Sequence, residues 1–123
     1  AEGAQAMAWV WLGDADSEQF QRYLAIYQET FPGEVPNAYA AAGFIAGEVF
    51  TEGLRRAGET PTREGLVQAL ETMNGWQGLI SPIISYKPFS IGDNTCRVGL
   101  QAMYAMEVVN GVWERVSDWI DSK

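Results

Sequence analysis

The chain has 123 residues, 47% of them apolar and 12% aromatic, which suits one modest folded domain and excludes a disordered one. Its net charge of −8 disfavours nucleic acid as a partner, because that affinity comes mainly from Lys and Arg on phosphates. An acidic, solvated surface is the simpler reading. The chain has no histidine, which removes Ser-His-Asp and Cys-His catalysis in their usual forms and the commonest zinc ligand sets. A single cysteine, Cys96, rules out an internal disulfide and leaves the redox compartment open. With no base beside it, Cys96 reads as inert packing. No apolar run approaches the roughly 20 residues that span a bilayer. The opening AEGAQAMAW carries no basic-then-apolar leader and reads as the middle of something longer.

In chain order, Ala4 to Leu12 (AQAMAWVWL) is a compact apolar run stopped by Gly13-Asp14, and it is expected to be a buried strand. Asp16 to Phe31 has the spacing of an amphipathic helix. Phe20, Tyr23, Leu24, Tyr27 and Phe31 lie on one face, and Asp16 with Gln19 resembles a capping box. Asp14 and Asp16 could be paired for acid–base work, but their place just ahead of a helix favours capping and dipole roles. Pro32-Gly33 ends the helix.

The stretch Asn37 to Gly58 (NAYAAAGFIAGEVFTEGLRRAG) is expected to be the central helix. Asn37 is its N-cap, Gly58 its C-terminal stop, and Arg55 and Arg56 suit the negative end of its dipole. Its small residues, Ala38 to Ala42, Gly43, Ala46 and Gly47 around Tyr39, predict that nearly the whole first half is buried. Gly43 and Gly47 share that helix and do not form a phosphate-binding loop. Thr62 caps a third helix over 63–74, with Leu66, Val67, Leu70 and Met73 as its buried stripe, closed by Asn74-Gly75.

Leu79 to Tyr86 is β-branched but carries Pro82, so it is an edge or irregular strand. A loop follows over 87–95. Arg97 to Val109 alternates as a strand, Asn110-Gly111 is a two-residue hairpin turn, and Val112 to Val116 is the return strand. Trp119 and Ile120 pack a short terminal segment. The order is one strand, three helices, then strands ending in a hairpin: α/β, without repeats or linkers. A lone early strand and an edge strand both need neighbours that the chain does not supply. It is therefore read as a piece of a larger protein, or as one that pairs with a second copy.

These residues resemble a known family. AEG at 1–3, a helix ending near Phe31, Tyr-Ala-Ala at 39–41, Arg-Ala-Gly at 56–58, Thr-Arg-Glu-Gly-Leu at 62–66, Ala-Leu at 69–70 and the closing Asn110-Gly111-Val112-Trp113 are similar, in order and spacing, to the C-terminal third of type I periplasmic binding proteins. These are the leucine/isoleucine/valine-binding and related receptors of ABC uptake systems. The resemblance implies two Rossmann-like α/β lobes joined by three crossings. Residues 1–123 would be the C-terminal part, mostly second lobe, with a late crossing strand at about 79–86 and a terminal hairpin at 97–116. The family often has a histidine after the glycine of the 92–93 segment; here Asn94 and Thr95 stand instead, so no role is assigned to that loop.

The family role implied is a solute-binding protein, not an enzyme and without a cofactor. It would capture an amino acid or other small carboxylate, amide or aromatic acid by lobe closure and deliver it to a membrane permease. The location implied is periplasmic or extracellular, with or without a lipid anchor. The other partner implied is the rest of the same protein, the first lobe, or a second copy. A ligand-sensing domain of the same fold in a signalling receptor is the alternative. The family usually has an aromatic pocket residue at the start of the central helix, and that role passes to Tyr39. Ligands of open α/β folds sit near helix N-termini and beyond strand ends, which agrees. Leu12, Gly13 and Asp14, at the exit of the first strand, are weaker ligand-binding candidates, and Trp11 is weaker still, since a strand tryptophan is usually core.

Overall fold

The computed structural model describes residues 2–10 and 17–121. The elements run β1 (Gln5–Ala8), α1 (Glu18–Thr30), α2 (Ala38–Ala57), α3 (Arg63–Glu71), β2 (Ala102–Val109), β3 (Val112–Arg115) and β4 (Ile120–Asp121). The four strands form one antiparallel sheet around β2. β1 lies along one stretch of it (Ala8 opposite Tyr104), β3 along another (Val109 opposite Val112), and β4 pairs its first residues.

Local chemistry sets the helix boundaries. Asn37 Oδ1 accepts the amides of Tyr39 and Ala40, each at 3.0 Å, and caps α2. Gly58, with φ +92°, ends it, and Thr62 caps α3 through the amide of Gly65. α1 begins one residue later than the sequence suggests. Ser17 is the N-cap, its hydroxyl accepting the Phe20 amide; the expected cap, Asp16, lies outside the described residues. α3 ends at Glu71, short of Asn74, and Met73 is buried just beyond it.

The core lies between α1, α2 and the segment after α3. Tyr23 is fully buried, its ring meeting Phe44 edge-on at 4.9 Å, with Phe20, Ile45, Met73 and Ile84 around it. Glu48, on α2, accepts the Leu79 amide at 3.0 Å and fixes the 76–81 turn against the helix. The carboxylate comes this close because residue 78 is glycine: a Cβ there would lie 2.5 Å from Glu48 Oε2. Burial pushes the Glu48 carboxyl above the ordinary range, against the pull of the Leu79 amide.

Three expectations are corrected. β1 is four residues long and three of them are exposed, so it is not the buried strand expected over 4–12. Among the described residues it has one neighbour, β2, and the buried member of the run is Val10, beyond its end. The first half of α2 is also less covered than its small residues imply. Ala41 and Ile45 are buried, whereas Gly43, Ala46 and Gly47 face outward, because periodicity reports an apolar surface and not what covers it. The strand expected from Arg97 begins at Ala102. Arg97 has φ +59°, its guanidinium stacks on Phe89 at 5.1 Å, and its Nε donates to Glu71 at 2.7 Å. These contacts turn the chain before it can pair.

Segment 79–86 is irregular, as Pro82 requires. It holds one bridge, Trp76 with Ile84, and the Ser85 amide donates to the Gly99 carbonyl. The hairpin turn is as expected: Asn110 and Gly111 have φ +53° and +79°, and Glu2 accepts both their amides. Trp119 packs edge-on against Tyr104 at 4.8 Å. Gly111→Val is expected to cost about 2 kcal/mol, because a β-branched residue resists positive φ. An unchanged unfolding midpoint in urea would contradict the turn assignment.

A cluster on α2 contributes to the acid response. Arg55 and then Arg56 hydrogen-bond Glu52 and hold its carboxyl at about 2. A pKa lowered on folding gives stability that is present above the ordinary carboxylate range and is lost as pH falls toward about 2. Glu71, held down by Arg97, and Asp93, held down by Thr95, have the same sign; Glu48 has the opposite one. Glu52→Gln is expected to flatten the acid limb of a stability–pH curve below pH about 4.5. An unaltered limb would remove this cluster from the acid response.

Candidate functional site

Tyr39 stands in the first turn of α2 and is 85% exposed. It is therefore not a core tyrosine beneath the helix. Asn37 fixes the backbone under it, taking the amides of Tyr39 and Ala40 with its side chain and that of Ala41 with its carbonyl. Those donors are committed to the cap, so this helix end does not offer them to an anion. What it presents is a phenol ring, able to pack on an apolar group and to hydrogen-bond through its hydroxyl.

The segment leading to Tyr39 is built with similar care. Gln28 Oε1 accepts the Gly33 amide at 2.8 Å, and its Nε2 donates to the Glu34 carbonyl. Gly33 turns the chain with φ +81°, and Pro36 is buried between the exposed Val35 and Asn37. Glu34 is the one charged residue from Phe31 to Ala42.

The other expected site residues, Trp11, Leu12, Gly13 and Asp14, lie outside the described residues. Just after them in the chain, Ser17 and Gln19 border a polar cleft of about 340 Å³, with Gln77, Ser81, Arg115 and Trp119. The Arg115 guanidinium is stacked over Tyr104 at 5.1 Å and Trp119 at 5.6 Å, and its Nε donates to the Ser117 carbonyl. The sequence gives no signal for this cleft, since its walls come from positions near 17, 77 and 115. Tyr39 follows the end of α1 and Leu12 to Asp14 precede its start, with a helix of roughly 20 Å between them along the chain. Among the described residues no cluster of His, Cys, Asp and Glu could hold a metal ion, and no helix is long and apolar enough to cross a membrane.

Three helices beside an open antiparallel sheet make an α/β fold. The periplasmic binding protein family model matches residues 1–112, and the chain belongs to that family. No curated protein matches it.

Solved structures agree on the fold. The leucine-binding protein LivK of Thermotoga maritima is 21% identical with a TM-score of 0.65, and the match covers 98% of this chain and 31% of that one. A branched-chain amino acid ABC transporter protein of Thermus thermophilus, with bound valine, is 21% identical with a TM-score of 0.72, covering 99% and 34%. A possible leucine/isoleucine/valine-binding protein of Rhodopirellula baltica is 13% identical with a TM-score of 0.72, covering 94% and 30%. The chain thus spans about a third of the length of each structure it matches.

Proposed function

We propose that the protein is the solute-binding component of an ABC uptake system, working in the periplasm with a membrane permease and carrying out no chemical step. Residues 1–123 are its C-terminal part, mostly of the second lobe, with a late crossing through the irregular segment 79–86 and a terminal hairpin of Ala102–Val109 and Val112–Arg115. The ligand is a small amino acid with an apolar side chain, captured when two lobes close on it. Closure works because the ligand touches both lobes only in the closed state and so shifts that equilibrium. The observation that carries this reading is an aromatic held 85% exposed at the start of the central helix, in a chain that matches the family over residues 1–112. The fold neighbours named for leucine, branched-chain amino acids and bound valine support the choice of ligand.

Tyr39 packs on the ligand in this reading. Leu12, Gly13 and Asp14 are secondary candidates for contact with the same ligand, and Trp11 ranks below them. Calorimetric titration of the full-length protein with L-leucine and L-valine tests it. Tyr39→Ala is expected to weaken binding by about 30-fold, near 2 kcal/mol, as a central aromatic contact does. It should shift stability by less than about 0.5 kcal/mol, because the side chain is exposed. Equal affinity of mutant and wild type would remove Tyr39 from the site.

A further inference from the structure

The α2 start presents a second apolar side chain. Val35 is 87% exposed and lies four residues before Tyr39, on the other side of the Asn37 cap. Its backbone has little freedom. A residue before proline is confined to extended conformations, and Pro36 is itself buried. A β-branched side chain also has few χ1 choices. One residue upstream, Gln28 clasps the turn, accepting the Gly33 amide and donating to the Glu34 carbonyl. The Glu34 amide closes back on the Phe31 carbonyl at 3.2 Å. An exposed valine on an unconstrained loop would need no explanation. This one is held out by a buried proline, a glycine turn and a bidentate side-chain clasp.

We infer that Val35 is a second apolar contact for the ligand, setting its side-chain size, and that Gln28 is the positioning residue that holds Val35 in place. The inference rests on the proposed function and deepens it. The occupant is the apolar side chain of the amino acid. Nothing cationic is present from Phe31 to Ala42, and the amides of Tyr39, Ala40 and Ala41 are already bonded to Asn37. Those three amides are not free to take the ligand's carboxylate, which favours an orientation with the apolar end toward this helix start. A pre-set valine and a two-torsion tyrosine lose little entropy on contact, which suits them to discriminate by shape.

The test is calorimetric affinity of the full-length protein for L-alanine, L-valine and L-leucine, in wild type, Val35→Ala, Gln28→Ala and the double variant. Val35→Ala should weaken L-leucine binding about 10-fold, the scale of a methylene or two in an apolar pocket, and L-alanine binding much less. Its melting temperature should stay that of wild type. Gln28→Ala should weaken L-leucine binding in the wild-type background and have almost no further effect in the Val35→Ala background, because it acts through that side chain. Losses that simply add would overturn the role of Gln28. If Tyr39→Ala weakens binding and Val35→Ala does not, this inference fails and the proposed function stands. If wild type binds none of the three amino acids, both fall. A lowered melting temperature for Val35→Ala with unchanged affinity would show that protein, not ligand, covers this side chain.

Discussion

Tyr23→Ala is expected to lower stability by about 4 kcal/mol, and Tyr23→Phe to raise it by about 1 kcal/mol. Tyr23 is fully buried where α1 meets α2, with its ring edge-on to Phe44 at 4.9 Å and 5.9 Å from Phe20. Removing the ring opens a cavity in the part of the core where both helices converge, and close-packed neighbours collapse only partly into such a space. The hydroxyl acts in the opposite direction. It is buried and has no hydrogen-bond partner among the described residues, so its desolvation is not offset. The same burial pushes the phenol pKa up. Urea unfolding of the three proteins measures both effects. A Tyr23→Phe protein less stable than wild type would mean that the hydroxyl is satisfied, and would contradict this description of the core.

Gly53→Leu is the second large effect, with an expected loss of about 3 kcal/mol. Gly53 is buried on α2 where α3 crosses it. A Cβ there would lie 2.7 Å from Leu70 Cδ2 and 3.0 Å from Leu66 Cδ1. The glycine lets the two helices approach at the cost of helix propensity, about 1 kcal/mol relative to alanine. Gly53→Ala should therefore be close to neutral, since the gain in propensity offsets the shift forced on two flexible leucine ends. Gly53→Leu has no such compensation and must push α3 away. Equal denaturation midpoints for Gly53→Leu and wild type would show that α3 is not seated on this residue.

Much of the fold was legible because its signals are local. Asn37, Thr62 and Gly58 set helix ends through groups within a few residues, and Asn110-Gly111 fixes the hairpin through its own backbone. Features that depend on distant partners were not legible. Arg97 turns the chain because Glu71, 26 residues away, and Phe89 receive its side chain, and no pattern within 97–109 reports that. The outward faces of β1 and of the Gly43–Gly47 turn of α2 were read as buried because their composition is apolar; composition does not say whether a covering element exists. Tyr39, the proposed ligand contact, stands out in the sequence through the family resemblance, together with its place beside a cap. Val35 does not, because it becomes notable only when the buried Pro36 and the Gln28 clasp show it held in place.

The most direct test of the central claim is a crystal structure of the full-length protein with L-leucine bound. The account predicts the ligand closed between two lobes, with its side chain within about 4 Å of the Tyr39 ring, the distance of apolar contact. Leucine bound elsewhere, with Tyr39 still in solvent, would contradict it.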